Sequence, residues 1–372
     1  MQSDLMKKRT FLICGHAQSG KTSLAETILF KSGAISRLGK VDSETSTSDY
    51  EEDEKRRKSS INLSVLGASY KGNSLQFIDT PGYLDFVGEL ITSSQVVDFA
   101  VIVVDALEGV GVGTEKAWNI LREKNVPCLF FINKLDKDNT DYKKTLDDIK
   151  KNLTKNAVSM GIVEGDKVTN ALKDKNASGY SKIVEMAAES DDGLVEKYLE
   201  TGELTEDEFR PALKKAILNS ILFPIVGGMA TQEVGIDCLL DLIVDIMPAV
   251  GKSLPRAAKD KASEDIQIEP KVDAPFSAQV FKTVVDPFVG QLTIFRVFSG
   301  QLNSNSEFYD TTKGSKEKFG QLYSLQGKQQ SAKEKVFAGD IAAVAKLKNA
   351  ETQDTICDSS RIVEFPKVNF PS

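Results

Sequence analysis

Residues 10–31 read TFLICGHAQSGKTSLAETILFK and decide the fold of the first part of the chain. The run 10–14 is almost wholly apolar, which predicts a strand covered on both faces, and 21–31 has the spacing of a helix. Between them, Gly15 to Thr22 match the pattern GxxxxGK[ST]. Between a strand and a helix, this pattern predicts a loop whose backbone N–H groups face a polyphosphate.

Similar patterns recur over the first two thirds of the chain. The predicted strands are 10–14, 75–79, 99–105, 127–133 and 223–227, and the predicted helices are 21–31, 114–124, 140–153, 206–219 and 236–247. This alternation predicts a doubly wound, mostly parallel α/β domain over residues 1–252, with a small insert at about 155–222. The polar segment 34–60 has two interpretations: a disordered surface loop, or a loop that only a ligand orders.

The remaining sequence predicts a second, all-β domain. A chain of 372 residues suggests about two or three domains. Residues 253–269 are rich in Lys, Asp, Glu, Pro and Ala, which predicts a linker, and residues 270–372 carry short alternating runs punctuated by glycines. The predicted strands are 276–281, 290–299, 306–309, 319–324, 341–346 and 362–365. Together they predict a small β-barrel.

Composition excludes several function classes. The formal net charge of -7 argues against a nonspecific nucleic-acid binder, and no apolar run reaches the roughly 18 residues of a membrane span. Four scattered cysteines without a CxxC pair predict reduced, buried thiols and a cytoplasmic location. His16 is the single histidine, which excludes a histidine-pair mechanism. We interpret it as a packing residue.

Two motifs predict the phosphate and metal contacts. Lys21 should reach the β and γ phosphates, and the Thr22 hydroxyl should bind Mg²⁺. The sequence DTPG follows the second predicted strand; its Asp79 can hold the magnesium shell, and the Gly82 N–H can meet a γ-phosphate. DTPG is also an ordinary turn, but its place at a strand end after a phosphate loop favours the functional interpretation. The predicted nucleotide-binding loop comprises Gly15, His16, Ala17, Gln18, Ser19, Gly20, Lys21, Thr22 and Ser23.

A third motif, NKLD at residues 133–136, predicts the choice of base. Guanine offers two donors, N1–H and the N2 amine, which the Asp136 carboxylate can accept together. Adenine would leave this carboxylate unpaired, at a cost of about 1–3 kcal/mol. Asn133 can serve the O6/N7 side, and the Lys134 stem can lie along the base plane. A kinase or an ATPase would leave Asn133 and Asp136 unexplained, so the motifs together favour GTP.

These motifs, in this order and followed by a predicted barrel, resemble those of a translational GTPase. The stretches DTPGYLDFVGE (79–89), NKLD (133–136) and GQLTIFRVFSG (290–300) look most like bacterial elongation factor G, particularly its divergent paralogues. The similarity covers nearly the whole chain. It implies a monomeric, GTP-hydrolysing switch that binds GTP or GDP and Mg²⁺. It also implies the ribosome as partner, with its RNA and proteins, and neither membrane nor DNA.

The resemblance carries further residues into the predicted site. Gly228, Met229 and Ala230 would form the loop that approaches the guanine O6, although the family usually has serine where Met229 stands. Ser60 aligns with the switch threonine that closes over Mg²⁺ and the γ-phosphate. An alignment shifted by one residue would give this role to Ser59.

Two departures from the family bear on catalysis. Tyr83 stands where most of the family has the histidine that orients the attacking water, and Gln18 replaces a common aspartate of the phosphate loop. A tyrosine hydroxyl cannot carry the positive charge of an imidazole but can position a water. We therefore predict Tyr83, Lys21 and Gly82 as the catalytic groups, and slow hydrolysis.

The third departure is length. Elongation factor G continues with three more domains, whereas this sequence stops at residue 372. Residues 369–371, NFP, look like the start of another linker, which favours a fragment over a naturally short relative.

Alternatives stay open for the task and for the contacts. The chain could bind GTP with negligible hydrolysis, or be a ribosome-protection or release-type GTPase. The residues offer no evident arginine finger in cis, although Arg56 and Arg57 are candidates. A basic patch for ribosomal RNA could lie around Lys313, Lys316 and Lys318.

Overall fold

The structure, a computed structural model, describes residues 2–165, 167–177, 179–286, 290–368 and 370. We call residues 2–252 the α/β part and residues 253–370 the β part. Residues 369 and 371, on which the expected further linker depends, lie outside the described residues. Within the described ranges, no helix is both long and apolar enough to cross a membrane.

The α/β part is built on a seven-stranded sheet. Its strands and those of a small hairpin are β1 (Lys8–Gly15), β2 (Ser64–Tyr70), β3 (Asn73–Asp79), β4 (Phe99–Asp105), β5 (Cys128–Asn133), β6 (Ala157–Ser159), β7 (Gly161–Glu164), β8 (Lys167–Asn170) and β9 (Phe223–Gly227). The sheet order is β2-β3-β1-β4-β5-β9-β6, and every pair is parallel except β2 with β3. The predicted doubly wound, mostly parallel class is thus confirmed.

Helices cover both faces of this sheet. They are α1 (Lys21–Lys31), α2 (Glu52–Arg57), α3 (Val87–Ser94), α4 (Val112–Glu123), α5 (Tyr142–Asn152), α6 (Tyr180–Ala188), α7 (Asp192–Thr201), α8 (Glu206–Leu218) and α9 (Ile236–Asp245). Phe11 and Ile13 of β1 pack against α1, α8 and α9, whereas Leu12 and Cys14 point to the face of α3 and α4. This alternation buries every second residue against a different helical layer.

The predicted elements are present, but the sequence missed several others. Each predicted strand and helix of the α/β part exists within a few residues of its expected ends. The edge strand β2, the short strand β6 and the hairpin β7–β8 were not predicted, and neither were the helices α2, α3, α6 and α7. The insert is therefore less separate than expected, because β6 joins the main sheet beside β9.

The polar segment 34–60 is described throughout, and the disordered-loop interpretation is wrong for this structure. It contains α2. Apart from Ile35, which packs against the apolar core, it is held mainly by buried carboxylates. Glu26 of α1 accepts hydrogen bonds from Thr47 N (2.6 Å) and Thr47 Oγ1 (3.2 Å). Glu54 of α2 accepts from Ile61 N and Asn62 N, both at 3.0 Å. Burial raises the pKa of both carboxyl groups, despite these hydrogen bonds.

The four cysteines are buried and unpaired, as predicted. Burial raises the pKa of the Cys14 and Cys238 thiols to about 12. Buried thiols with a raised pKa are typical of structural cysteines.

The β part is antiparallel. Its strands are β10 (Arg256–Asp260), β11 (Asp265–Ile268), β12 (Ser277–Asp286), β13 (Gly290–Ser299), β14 (Gln301–Asn303), β15 (Glu307–Asp310), β16 (Ser315–Lys318), β17 (Leu322–Gln326), β18 (Gln329–Lys333), β19 (Lys335–Phe337), β20 (Ile341–Ala345), β21 (Thr355–Cys357) and β22 (Val363–Glu364). An eight-stranded sheet and the pair β14–β19 share one apolar core. The all-β prediction is confirmed.

The linker prediction for residues 253–269 is wrong as to local structure. Strands β10 and β11 form an antiparallel hairpin there, and β10 also pairs with β22 near the end of the chain. The segment resembles a linker in composition because its strands alternate buried positions such as Ala258 and Ile268 with exposed polar ones such as Lys259 and Asp265.

A buried ion pair joins the two parts. Asp98, just before β4, accepts from Arg296 of β13 at 2.8 Å, and the two side chains are only 1% and 2% exposed. Arg296 also donates to the carbonyl of Val96 at 2.6 Å, and Arg256 lies 3.4 Å from the other oxygen of Asp98. Since charges this deeply buried must remain paired, the two parts are fixed to each other here.

Replacing Asp98 with alanine should leave Arg296 buried and unpaired. We expect the unfolding free energy to fall by about 3–5 kcal/mol, measured by urea denaturation. Asp265→Ala is the matched control, since its partner Lys259 is solvent-exposed, and it should cost less than about 1 kcal/mol. Equal losses in the two variants would contradict the importance given to this ion pair.

Candidate functional site

The loop between β1 and α1 is closed by Gly20. This residue has φ +91° and begins α1, and a Cβ atom there would lie 2.2 Å from Asn133 Nδ2. Any other residue would therefore be strained and would collide with the NKLD segment. The glycine allows the first turn of α1 to lie directly beside the end of β5.

Lys21 lies under this loop and is almost fully buried, with 6% of its surface exposed. Its Nζ donates to the carbonyl of His16 at 2.7 Å. Burial lowers the pKa of Lys21 to about 8, while the nearby Asp79 carboxylate opposes this shift. Gly82 follows β3 and packs against Lys21 Nζ and Ala17. The structure thus brings the first two motifs into contact.

Two hydroxyls and two carboxylates meet beside Lys21. Thr22 Oγ1 donates to Asp79 Oδ2 at 2.8 Å and lies 3.1 Å from Ser60 Oγ. Ser60 Oγ in turn donates to Asp49 Oδ1 at 2.7 Å. Burial raises the pKa of Asp79 to about 7, with the Asp49 carboxylate adding to the effect. We call these four residues the hydroxyl–carboxylate cluster.

The cluster suits a hard divalent cation. Asp79 Oδ1 and Asp49 Oδ2 are buried and have no hydrogen-bond partner among the described residues. Leaving such oxygens unpaired costs free energy. Mg²⁺ prefers oxygen ligands and would supply the positive charge that the two carboxylates lack nearby. The cluster also favours Ser60 over Ser59, because Ser60 provides the hydroxyl beside Thr22.

Asn133 joins three segments behind the site. Its Nδ2 donates to the carbonyl of Ser19 at 3.0 Å, and its Oδ1 accepts from the backbone N–H of Ala230 at 3.0 Å. Gly228 forms two backbone hydrogen bonds with the end of β5 and the residues after it. Its N–H donates to the carbonyl of Ile132, and its carbonyl accepts from the N–H of Leu135. In this structure the Asn133 amide therefore positions the loop 228–230.

Lys134 and Asp136 face the other end of the site. Lys134 has φ +65°, and its Nζ forms an ion pair with Asp105 Oδ2 at 2.7 Å. Asp105 ends β4 and is 5% exposed. The Asp136 side chain is 12% exposed and lies 3.6 Å from Lys137 Nζ. Its carboxylate is held by no closer charged group within the described ranges, which leaves it available to donors from a ligand.

A cavity of about 600 Å³ connects the two ends. Its described lining contains residues of all three motifs and of segment 34–60: Ala17, Gln18, Gly20, Lys21, Thr22, Ser23, Val41, Asp42, Asp49, Arg57, Lys58, Ser59, Ser60, Gly82, Tyr83, Asn133, Lys134, Asp136, Lys137 and Thr231. The cavity has room for a nucleotide-sized ligand. A larger cleft of about 860 Å³ lies between α4 and the β part and contains none of the motif residues.

Several predicted residues lie behind the cavity and not on its wall. These are Gly15, His16, Ser19, Asp79, Gly228, Met229 and Ala230. His16 Nδ1 accepts from the backbone N–H of Gly113 at 3.1 Å, which agrees with a packing role against α4. From the 228–231 loop it is Thr231 that reaches the wall.

Tyr83 and Gln18, the two departures from the family pattern, lie next to each other. Gln18 Nε2 is 3.5 Å from Tyr83 Oη, at the limit of a hydrogen bond, and the Tyr83 side chain is 41% exposed. Both line the cavity on the side of Gly82 and Lys21. The phenol is therefore close to the predicted phosphate position and accessible to water.

The structure adds residues that sequence reasoning missed. Asp49, Asp105 and Thr231 carried no local signal, since each acts through contacts with segments distant in sequence. Of the two arginines considered, Arg57 lines the cavity, whereas Arg56 pairs with Asp53 on the exposed face of α2 at 2.7 Å.

The expected basic patch of the β part is weaker than its sequence suggests. Lys313 pairs with Glu351 at 2.6 Å, and Lys316 pairs with Glu307 at 3.0 Å. Of the three lysines, Lys318 has no ion pair with the residues that the structure describes.

Comparisons with known proteins agree with this arrangement. Residues 6–249 match the family model of the elongation factor Tu GTP-binding domain, and residues 275–359 match that of elongation factor G domain 2. The crystal structure of ttk003000868 from Thermus thermophilus is similar, with 27% identity and a TM-score of 0.82 over 97% of this chain. The chain spans 55% of that protein. It therefore belongs to the family of the elongation factor Tu GTP-binding domain, and the elongation factor G domain 2 that follows makes its domain order similar to that of elongation factor G.

Proposed function

We propose that this chain binds GTP and GDP together with Mg²⁺ and hydrolyses GTP. In this proposal it acts in the cytoplasm as a monomeric, elongation factor G-like switch on the ribosome. The observation that carries the proposal is the hydroxyl–carboxylate cluster beside Lys21, at the phosphate end of a cavity whose other end holds Asn133 and Asp136. Two buried oxygens of the cluster, Asp79 Oδ1 and Asp49 Oδ2, lack hydrogen-bond partners in the described part of the chain. A cation bound together with a triphosphate would satisfy them.

Each group has a proposed role that follows from its position. Lys21 places a positive charge beside Gly82, where a β,γ-phosphate would lie, and the loop backbone holds the phosphates. Thr22, Ser60 and Asp79 would hold Mg²⁺, with Asp49 bound to Ser60; the ion would neutralise charge on the phosphates. Asp136 would accept both donors of guanine, while Asn133 fixes the loop behind the base. Tyr83, paired with Gln18, would position the attacking water.

Base selection depends on Asp136 accepting two donors. We expect Asp136→Asn to weaken GTP binding at least about tenfold and to strengthen binding of xanthosine triphosphate, because an amide can donate to the xanthine oxygen. Competition against a fluorescent GDP would measure both. Asp138→Asn, an exposed neighbour, is the matched control. An unchanged preference for guanine would refute the role given to Asp136.

The cation requirement depends on the negative charge of Asp49. Asp49→Asn keeps an acceptor for Ser60 but removes the charge, so the Mg²⁺ concentration for half-maximal binding of a GTP analogue should rise about tenfold. Binding of GDP in EDTA should not change. Asp53→Asn on the exposed face of α2 serves as the control. A magnesium requirement equal to that of the wild type would exclude Asp49 from the metal site.

Hydrolysis should be measured in single turnovers, with and without bacterial ribosomes. We expect ribosomes to stimulate cleavage, and Tyr83→His to raise the rate at least about tenfold, because an imidazole is the better water-orienting group at neutral pH. Lys21→Ala should lose nucleotide binding, so its rate gives the background of GTP hydrolysis in the assay. If bound GTP is cleaved by neither protein under either condition, the hydrolytic part of the proposal fails and a binding switch remains.

A further inference from the structure

The segment that carries Asp49 and Ser60 is supported from inside the α/β part at few points. We call residues 34–63 the switch segment. Glu26 holds Thr47, as described above, and Ser64 Oγ donates to the carbonyl of Ser48 at 2.7 Å. The segment has few apolar side chains of its own. Ile35 and Leu63 pack against apolar clusters near its two ends. Between them, the stretch next to Thr22 and Asp79 is held by polar contacts, which are individually weak.

The β part supplies further support through the turn between β17 and β18. The Gly67 N–H of β2 donates to Gln326 Oε1 at 2.8 Å, and the Gly327 N–H donates to the carbonyl of Val65 at 3.0 Å. Gly327 has φ +55°, and a Cβ atom there would lie 2.1 Å from the carbonyl oxygen of Thr47. The turn thus touches Thr47 on the switch segment while it is anchored to the neighbouring strand.

A lysine of the β part supports the other end of the segment. Lys282 of β12 donates to Asn62 Oδ1 at 3.1 Å and pairs with Glu89 Oε1 at 2.5 Å. The second carboxylate oxygen of Glu89 accepts from the Leu63 N–H at 3.1 Å. Glu89 lies in α3, the helix that follows Gly82 and Tyr83. Lys282 therefore connects the end of the switch segment to the region after the DTPG motif.

We propose that these contacts make the β part a selector for the triphosphate form of the nucleotide. The inference rests on the proposed function. Ser60 and Asp49 would act on Mg²⁺ and the γ-phosphate, so the position of the switch segment matters for GTP and little for GDP. Loss of support from the β part lowers the population of the GTP-competent segment, and the apparent affinity falls by the same factor. Gly327 and Lys282 are positioning residues, since neither lines the cavity.

The test compares two variants of the whole chain. Gly327→Ala places a methyl group against Thr47, and Lys282→Met keeps the apolar stem but removes the contacts with Asn62 and Glu89. Affinities for GDP and for a non-hydrolysable GTP analogue, guanosine 5′-(β,γ-imido)triphosphate, are measured by calorimetry with Mg²⁺. Each variant should bind the analogue about five- to twentyfold more weakly, with GDP affinity within about twofold of the wild type.

Matched controls separate this effect from general damage. Gly314→Ala adds the same methyl group at φ +66°, where the nearest atom is Tyr309 Oη at 3.9 Å. Lys259→Met removes an exposed lysine that pairs with Asp265. Both should bind the two nucleotides as the wild type does. Thermal unfolding followed by circular dichroism checks that each variant is folded. If Gly327→Ala does not fold, Lys282→Met alone tests the inference.

The outcomes distinguish the inference from the proposed function. A selective loss of analogue binding supports the inference. Unchanged affinities in both variants, or equal loss for GDP and the analogue, would overturn it while leaving nucleotide binding in place. A wild-type chain that binds neither nucleotide would instead overturn the proposed function.

Discussion

The parallel register of β1, β3, β4 and β5 is the constraint on which the site depends. In this register Ile13 pairs with Asp79 and Asp105 pairs with Asn133. Because parallel strands end at the same edge of a sheet, the loops that follow them must converge there. Groups from distant parts of the chain are thus brought within hydrogen-bond distance, and the buried apolar strands hold them in place. The chemistry of the site is polar, but its geometry is set by the core.

Sequence reasoning succeeded where structure is encoded locally. The strands 99–105 and 223–227 were predicted to the residue, because a buried parallel strand is a continuous apolar run. Edge strand β2 (SVLGASY) was missed because Gly67 and small residues interrupt its apolar run. The hairpin β10–β11 was missed because its charged residues make it look like a loop. Asp49 was missed for another reason. It contacts Ser60 only because the polar segment folds back on itself, and no local sequence pattern predicts that fold.

Buried charge serves two different purposes in this molecule. Asp98 and Arg296 form a buried ion pair that joins the two parts. Glu26 and Glu54 instead accept hydrogen bonds from backbone N–H groups, and so replace the apolar anchors that segment 34–60 lacks. A segment held in this way can be ordered without a hydrophobic core beneath it, and it is separated from alternative positions by only a few hydrogen bonds.

The turn around Gly327 has a consequence for solubility as well. β2 lies at the edge of the seven-stranded sheet, where unpaired backbone groups usually invite pairing with another molecule. The Gly67 N–H and the Val65 carbonyl are instead occupied by Gln326 and Gly327 of the same chain. The opposite edge is β6, which is only three residues long. Short or covered edges of this kind protect a sheet against intermolecular strand pairing and aggregation.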